Sequence, residues 1–137
     1  MYHLAFETSC DDTSIAVMQD DRVVVLVTRS QIAEHADTRG VVPEVAARLH
    51  ANVVFEVLDE VLSTAKITLE DLSFMSVTAE PGLIPSLLVG KTVAKTLAHL
   101  LNIPLFLIHH IEGHMFANLL DRSVDDLVLP AVVLTVS

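Results

Sequence analysis

An α/β fold, one domain built on a mixed sheet of five or six strands with flanking helices, is predicted by three features of this chain. Short apolar runs separated by polar turns give way twice to long stretches with helical spacing. The 137 residues are enough to bury one core and too few for two. With 52% hydrophobic residues but only five Phe, one Tyr and no Trp, that core must be aliphatic, which suits strands and helices stacked in layers.

Three strands come first, at residues 2–7, 13–19 and 22–28, the last two joined by the turn-forming pair Asp20-Asp21. After a polar loop through His35, Asp37, Arg39 and Gly40, Pro43 suits the first turn of a helix. Val45, Leu49, Val53, Val57, Leu58, Val61 and Leu62 then recur with helical period, so the helix should run to about Ala65. Residues 72–79 read as a fourth strand ended by Pro81-Gly82. Residues 83–101 read as a helix that is apolar on nearly every side, which calls for burial on more than one face. A fifth strand at 104–109 leads into a short third helix opened by His110-Ile-Glu-Gly-His114, and 121–126 is a polar break. The domain is accordingly drawn at 1–126. Residues 127–137 read as one more Val- and Leu-rich strand, either closing the sheet or opening a second lobe of which nothing further is present.

The formal charge of −10 opposes nonspecific capture of a phosphate backbone or an anionic membrane, so contact with nucleic acid would need another chain or domain. No basic head with an apolar run opens the chain, and no apolar stretch approaches the ~20 residues of a bilayer span, so the expected location is the cytoplasm, away from membranes. The lone Cys10 fits a reducing compartment and reads as an inert thiol.

His110 and His114 lie four apart, one above the other on a helix, a spacing that lets two imidazoles reach one ion; the alternative is a pair of partly buried, hydrogen-bonded histidines. Glu112 sits roughly 200° around the helix from His110, so the segment is not the His-Glu-x-x-His of a zinc peptidase. His109 should face differently from His110, and Gly113 either permits close backbone approach or weakens the helix. The loop Thr8-Ser9-Cys10-Asp11-Asp12-Thr13 can offer hydroxyls and N–H groups to a phosphate, or be an ordinary polar hairpin loop. Gly90-Lys91-Thr92 fails as a phosphate loop, because the required first glycine would fall on Pro85; Lys91 and Lys95 read as a solvated or partner-facing stripe.

Phe6-Glu-Thr-Ser-Cys-Asp-Asp-Thr13, His35-Ala-Asp, Gly40-Val-Val-Pro-Glu44, Pro81-Gly-Leu83 with Leu88-Val-Gly90, and His109-His-Ile-Glu-Gly-His114 together resemble, in order and spacing, the TsaD family. This is the universal tRNA threonylcarbamoyladenosine synthase subunit, once regarded as an O-sialoglycoprotein endopeptidase. The resemblance implies an actin-like (ribonuclease H-like) fold of two lobes, with the N-terminal lobe present here. It implies transfer of threonylcarbamoyl from its adenylate to N6 of the adenosine 3′ of the tRNA anticodon. His110 and His114 would be two ligands of one divalent iron or zinc ion, an Asp of the other lobe a third; with two ligands alone the ion should be weakly held or absent. Thr135, Val136 and Ser137 match the opening of the family's Val-Ser-Gly-Gly-His substrate loop, and Thr8, Ser9 and Asp11 become further substrate-binding candidates. The lobe alone should be inactive. Bacterial members pair with an inactive paralogue through helices that correspond to 43–65 and 83–101; the lobe on its own has the alternative of a homodimer. tRNA would bind only to the full complex. Two departures stand out: Glu80 replaces the family's usual Gly, and Asp12 a common Glu.

Overall fold

The computed structural model describes residues 1–38, 40–120, 122, 125, 128 and 130–135. Three strands, β1 (Tyr2–Glu7), β2 (Asp12–Gln19) and β3 (Arg22–Ser30), form an antiparallel meander. Helix α1 (Pro43–Ala65) crosses to β4 (Leu72–Glu80), which lies parallel to β1 on its other side. Helix α2 (Ile84–Leu101) then crosses to β5 (Leu105–His109), parallel to β4, and α3 (His110–Phe116) follows without a break. The sheet order is β3-β2-β1-β4-β5.

Local chemistry accounts for the element ends. Asp20 takes the left-handed conformation (φ 55°) in the β2–β3 turn, which a short polar side chain tolerates. Pro43 stands in the first turn of α1 and Pro85 in that of α2, where a missing N–H costs nothing. Lys66 (φ 58°) and Asn102 (φ 53°) terminate the two helices in left-handed caps whose N–H groups return to the last carbonyls.

Both long helices cover one face of the sheet. Leu4 and Phe6 of β1, Ile15 and Val17 of β2, and Met75 and Val77 of β4 point into them, and α1 answers with Val54, Val57, Leu58 and Val61. Helix α2 presents a narrow stripe, Gly90, Ala94 and Ala98, so its backbone comes close to the strands. Its expected burial on more than one face is not met among the described residues: Ile84, Leu88 and Leu100 are 72%, 54% and 73% exposed. The opposite sheet face carries small side chains, Ala5, Ser14, Ala16 and Ser76, and among the described residues α3 and the turn after it, through Leu120, lie against it.

Of the segment expected as a strand over 127–137, only Val128 and residues 130–135 are among the described residues. Val128 and residues 130–135 belong to no strand and are exposed, Val132 at 99%. Apolar text alone does not make a strand, because the backbone needs a partner edge, and the sheet among the described residues has five members. No helix among the described residues is long and apolar enough to cross a membrane.

Candidate metal centre

Strands β1, β4 and β5 run parallel, so their carboxyl ends meet at one edge of the sheet, where open α/β sheets place ligand sites. Three side chains meet there: Glu7 from the end of β1, Thr78 from near the end of β4, and His110 directly after β5. One Glu7 oxygen, Oε1, accepts the Ser9 N–H; the other, Oε2, accepts the Thr78 hydroxyl and lies 3.2 Å from His110 Nδ1. Burial by itself would raise the Glu7 carboxyl, but the hydrogen bonds from Ser9, Thr78 and His110 outweigh it and hold the group below its ordinary value. Glu7 is therefore ionised at neutral pH.

On the far side of the His110 ring, Nε2 lies 3.0 Å from Nε2 of His114, the ring planes at 79°. Two nitrogens bound to one ion at about 2.0–2.1 Å lie roughly 2.9–3.4 Å apart, depending on the ligand angle. The pair thus fits two positions of one metal. Among the described residues no third His, Cys, Asp or Glu completes a cluster. Both rings face an apolar groove of about 350 Å³ on the open sheet face, bounded by Ala16, Leu26, Ile108 and Leu120. Glu112 is exposed and does not line this groove, as expected from its angle on the helix. A Cβ on Gly113 would meet nothing within 4 Å, so no close approach within this chain requires that glycine.

The TsaD family profile, tRNA N6-adenosine threonylcarbamoyltransferase, matches residues 22–137. The chain belongs to this family. Curated tRNA N6-adenosine threonylcarbamoyltransferases from Fusobacterium nucleatum and Bacillus subtilis are 47% and 43% identical to it over 100% of its length. One from Streptococcus pneumoniae is 46% identical over 99%. The chain spans about 40% of the length of these relatives. Its fold is shared with YeaZ from Pseudomonas aeruginosa (TM-score 0.62, 20% identity, 80% of this chain and 45% of that one). A second Pseudomonas aeruginosa structure, described as an uncharacterized protein with similarity to peptidase YEAZ, gives a TM-score of 0.65 at 20% identity over 85% and 48% of the two chains. The mixed five-stranded sheet with flanking helices is the α/β architecture expected from the sequence.

Several pieces of TsaD-family text prove to serve one purpose, holding the β1–β2 loop beside His110. The Leu83 N–H donates to the Ser9 carbonyl at 2.8 Å. A Cβ on Gly82 would stand 2.7 Å from that same oxygen, and one on Gly90 would stand 2.5 Å from Thr8 Oγ1. Thr8 is 1% exposed and its hydroxyl donates to the Ser86 carbonyl, so it anchors the loop to α2. Ser9, also buried, brings Oγ to 3.4 Å from His110 Nδ1 and so joins the histidine site. Asp11 is half-buried, and its carbonyl accepts the Gln31 N–H. His50 of α1 closes the arrangement from below: Nε2 donates to the Cys10 carbonyl at 3.0 Å and Nδ1 accepts from Thr13 Oγ1 at 2.7 Å. Burial pushes the His50 imidazole below its ordinary pKa in spite of that carbonyl and the nearby carboxylates.

Cys10 is no activated nucleophile. Desolvation first, then the Asp11 hydrogen bond and charge, push its thiol up. His109 does face differently from His110, into a groove of about 380 Å³ shared with Glu80, Pro81 and Lys91. Glu80 is exposed there. Thr135 is exposed and in no strand, whereas Val136 and Ser137 lie outside the described residues. Glu7 and Thr78 were missed as site residues by sequence reasoning; the only available signal was a charged side chain closing an apolar strand.

Proposed function

We propose that this chain is the N-terminal lobe of an enzyme that transfers threonylcarbamoyl from threonylcarbamoyl-adenylate to N6 of the adenosine 3′ of the tRNA anticodon. The observation that carries the reading is the His110–His114 pair, two Nε2 atoms 3.0 Å apart at the carboxyl ends of parallel strands, in a chain of the TsaD family. These residues would hold a divalent iron or zinc ion, which when bound supplies Lewis acidity for the carbamoyl carbonyl. The chain's own contribution is positional. Ser9 and Asp11 border the acyl donor at the β1–β2 loop, the apolar groove floors one side of the cleft, and Thr135, Val136 and Ser137, which match the opening of the family's substrate loop, contact substrate. With two of the ion's ligands and one side of the cleft, the lobe by itself is expected to be inactive and to bind metal weakly.

The acidic surface leaves tRNA binding to the full assembly in the cytoplasm. The outer faces of α1 and α2 support a protein partner: Val45, Phe55, Ile84, Leu88 and Leu100 are all exposed apolar side chains. The occupant of that face is the inactive paralogue, or a second copy of the lobe when the paralogue is absent. A purely non-catalytic module is the competing reading, and the convergent histidines favour the enzyme. A metalloendopeptidase is less well supported, since Glu112 lies off the groove.

The test is threonylcarbamoyl incorporation into tRNA by the full-length protein with its partner. Replacing both His110 and His114 by Ala should abolish incorporation while leaving partner binding intact. Undiminished transfer by the double variant would refute the reading, as would turnover by the lobe alone.

A further inference from the structure

The geometry points to Glu7 as the positioning residue of the histidine pair: its carboxylate fixes His110 in the tautomer whose Nε2 is free, and aims that nitrogen at His114. The inference rests on the metal reading above and adds to it a residue that is itself no ligand. A carboxylate can only accept, so the proton between Glu7 Oε2 and His110 Nδ1, 3.2 Å apart, belongs to the imidazole. In the neutral imidazole, the form that can ligate an ion, His110 Nε2 is then a lone pair. The proton between the two rings, whose Nε2 atoms are 3.0 Å apart, must be supplied by His114, which has to move it to Nδ1 before both rings can bind one ion. Ser9 Oγ, at 3.4 Å, is the weaker neighbour of Nδ1. Glu7 is itself held by the Ser9 N–H and the Thr78 hydroxyl, one from the loop after β1 and one from β4. The ring is thereby tied to the sheet through a single carboxylate. A carboxylate behind a ligating imidazole orients the ring and raises its basicity.

A purely structural Glu7, tying β1 to β4, predicts something different. The two roles separate by 15N NMR of the histidines in the 137-residue chain, followed by titration with Zn²⁺. In the unaltered chain His110 should show the Nδ1–H pattern and His114 the Nε2–H pattern, and Zn²⁺ should shift both rings. Glu7→Gln should leave the circular dichroism spectrum unchanged, mix the His110 tautomers and weaken Zn²⁺ binding about tenfold or more. Thr78→Val, which loosens the β4 tie without touching His110, should keep the tautomer and bind Zn²⁺ within about threefold of the unaltered chain. If Glu7→Gln retains the Nδ1–H pattern and the same Zn²⁺ affinity, the positioning role is wrong. Should that variant fail to fold, the unaltered chain still decides, because an Nε2–H pattern at His110 overturns the inference. Two imidazoles hold an ion weakly, so the titration runs to millimolar Zn²⁺, and failure to shift either ring even there would instead sink the metal reading.

Discussion

The two faces of the sheet are built on opposite terms. Under α1 and α2, Leu4, Ile15, Val17, Met75 and Val77 are shut away from water, at most 1% exposed, and interlock with the helices. On the other face Ala5, Ser14, Ala16 and Ser76 floor an open groove, with Glu7, His110 and His114 at one end of it. Large aliphatic side chains bury area and stabilise the fold; small ones leave room for something to lie against the sheet. A charged carboxylate and two imidazoles are tolerated on the second face because it remains partly wet, both Glu7 oxygens accept hydrogen bonds and each His110 nitrogen has a neighbour. Stability and chemistry are thus segregated by the period-two alternation of the same strands.

The contrast predicts a graded set of effects. Leu4→Ala should cost about 2–5 kcal/mol in urea unfolding, since it opens a cavity in the closed face. Gly90→Ala should cost about 1–3 kcal/mol, because its Cβ would stand 2.5 Å from Thr8 Oγ1 and push either α2 or the β1–β2 loop away. On the open face Ala16→Val should change stability by less than about 0.5 kcal/mol. A loss there as large as that of Leu4→Ala would erase the distinction between the faces. Leu88→Asp, on the outer side of α2, should likewise be near neutral for folding, within about 0.5 kcal/mol, yet abolish binding of a partner or second copy in light scattering.

Stability should also fall with acid in two windows. His50 and His3 both have imidazoles lowered from the ordinary 6.5, chiefly by burial. Below pH 6.5 the unfolded chain therefore takes up protons that the folded one refuses, and stability present above that pH declines as it falls toward the folded values. Glu7, lowered from 4.5, adds a second decline below pH 4.5. Urea midpoints across this range should show both, with His50→Gln flattening most of the upper one and Glu7→Gln the lower.

What the chain determines locally was readable from its text. Strand alternation located β1 through β5 to within a residue or two, and the helical period with Pro43 located α1. The spacing of His110 and His114 put both rings on one side of α3, because that relation is a property of the helix alone. Where pairing with a distant segment was needed, the text was insufficient. Residues 130–135 read as a strand and pair with no edge among the described residues, since a strand exists only when another edge accepts its hydrogen bonds. The text does not show that the Thr8 hydroxyl is engaged by the Ser86 carbonyl, a contact that depends on the close approach of α2 at Gly90. Glu7 is 71 residues from Thr78 and 103 from His110, separations over which no local period carries information. Only the parallel order β1-β4-β5 brings those three strand ends together. The histidine pair was thus written in one turn of helix, and the carboxylate beside it was decided by the sheet.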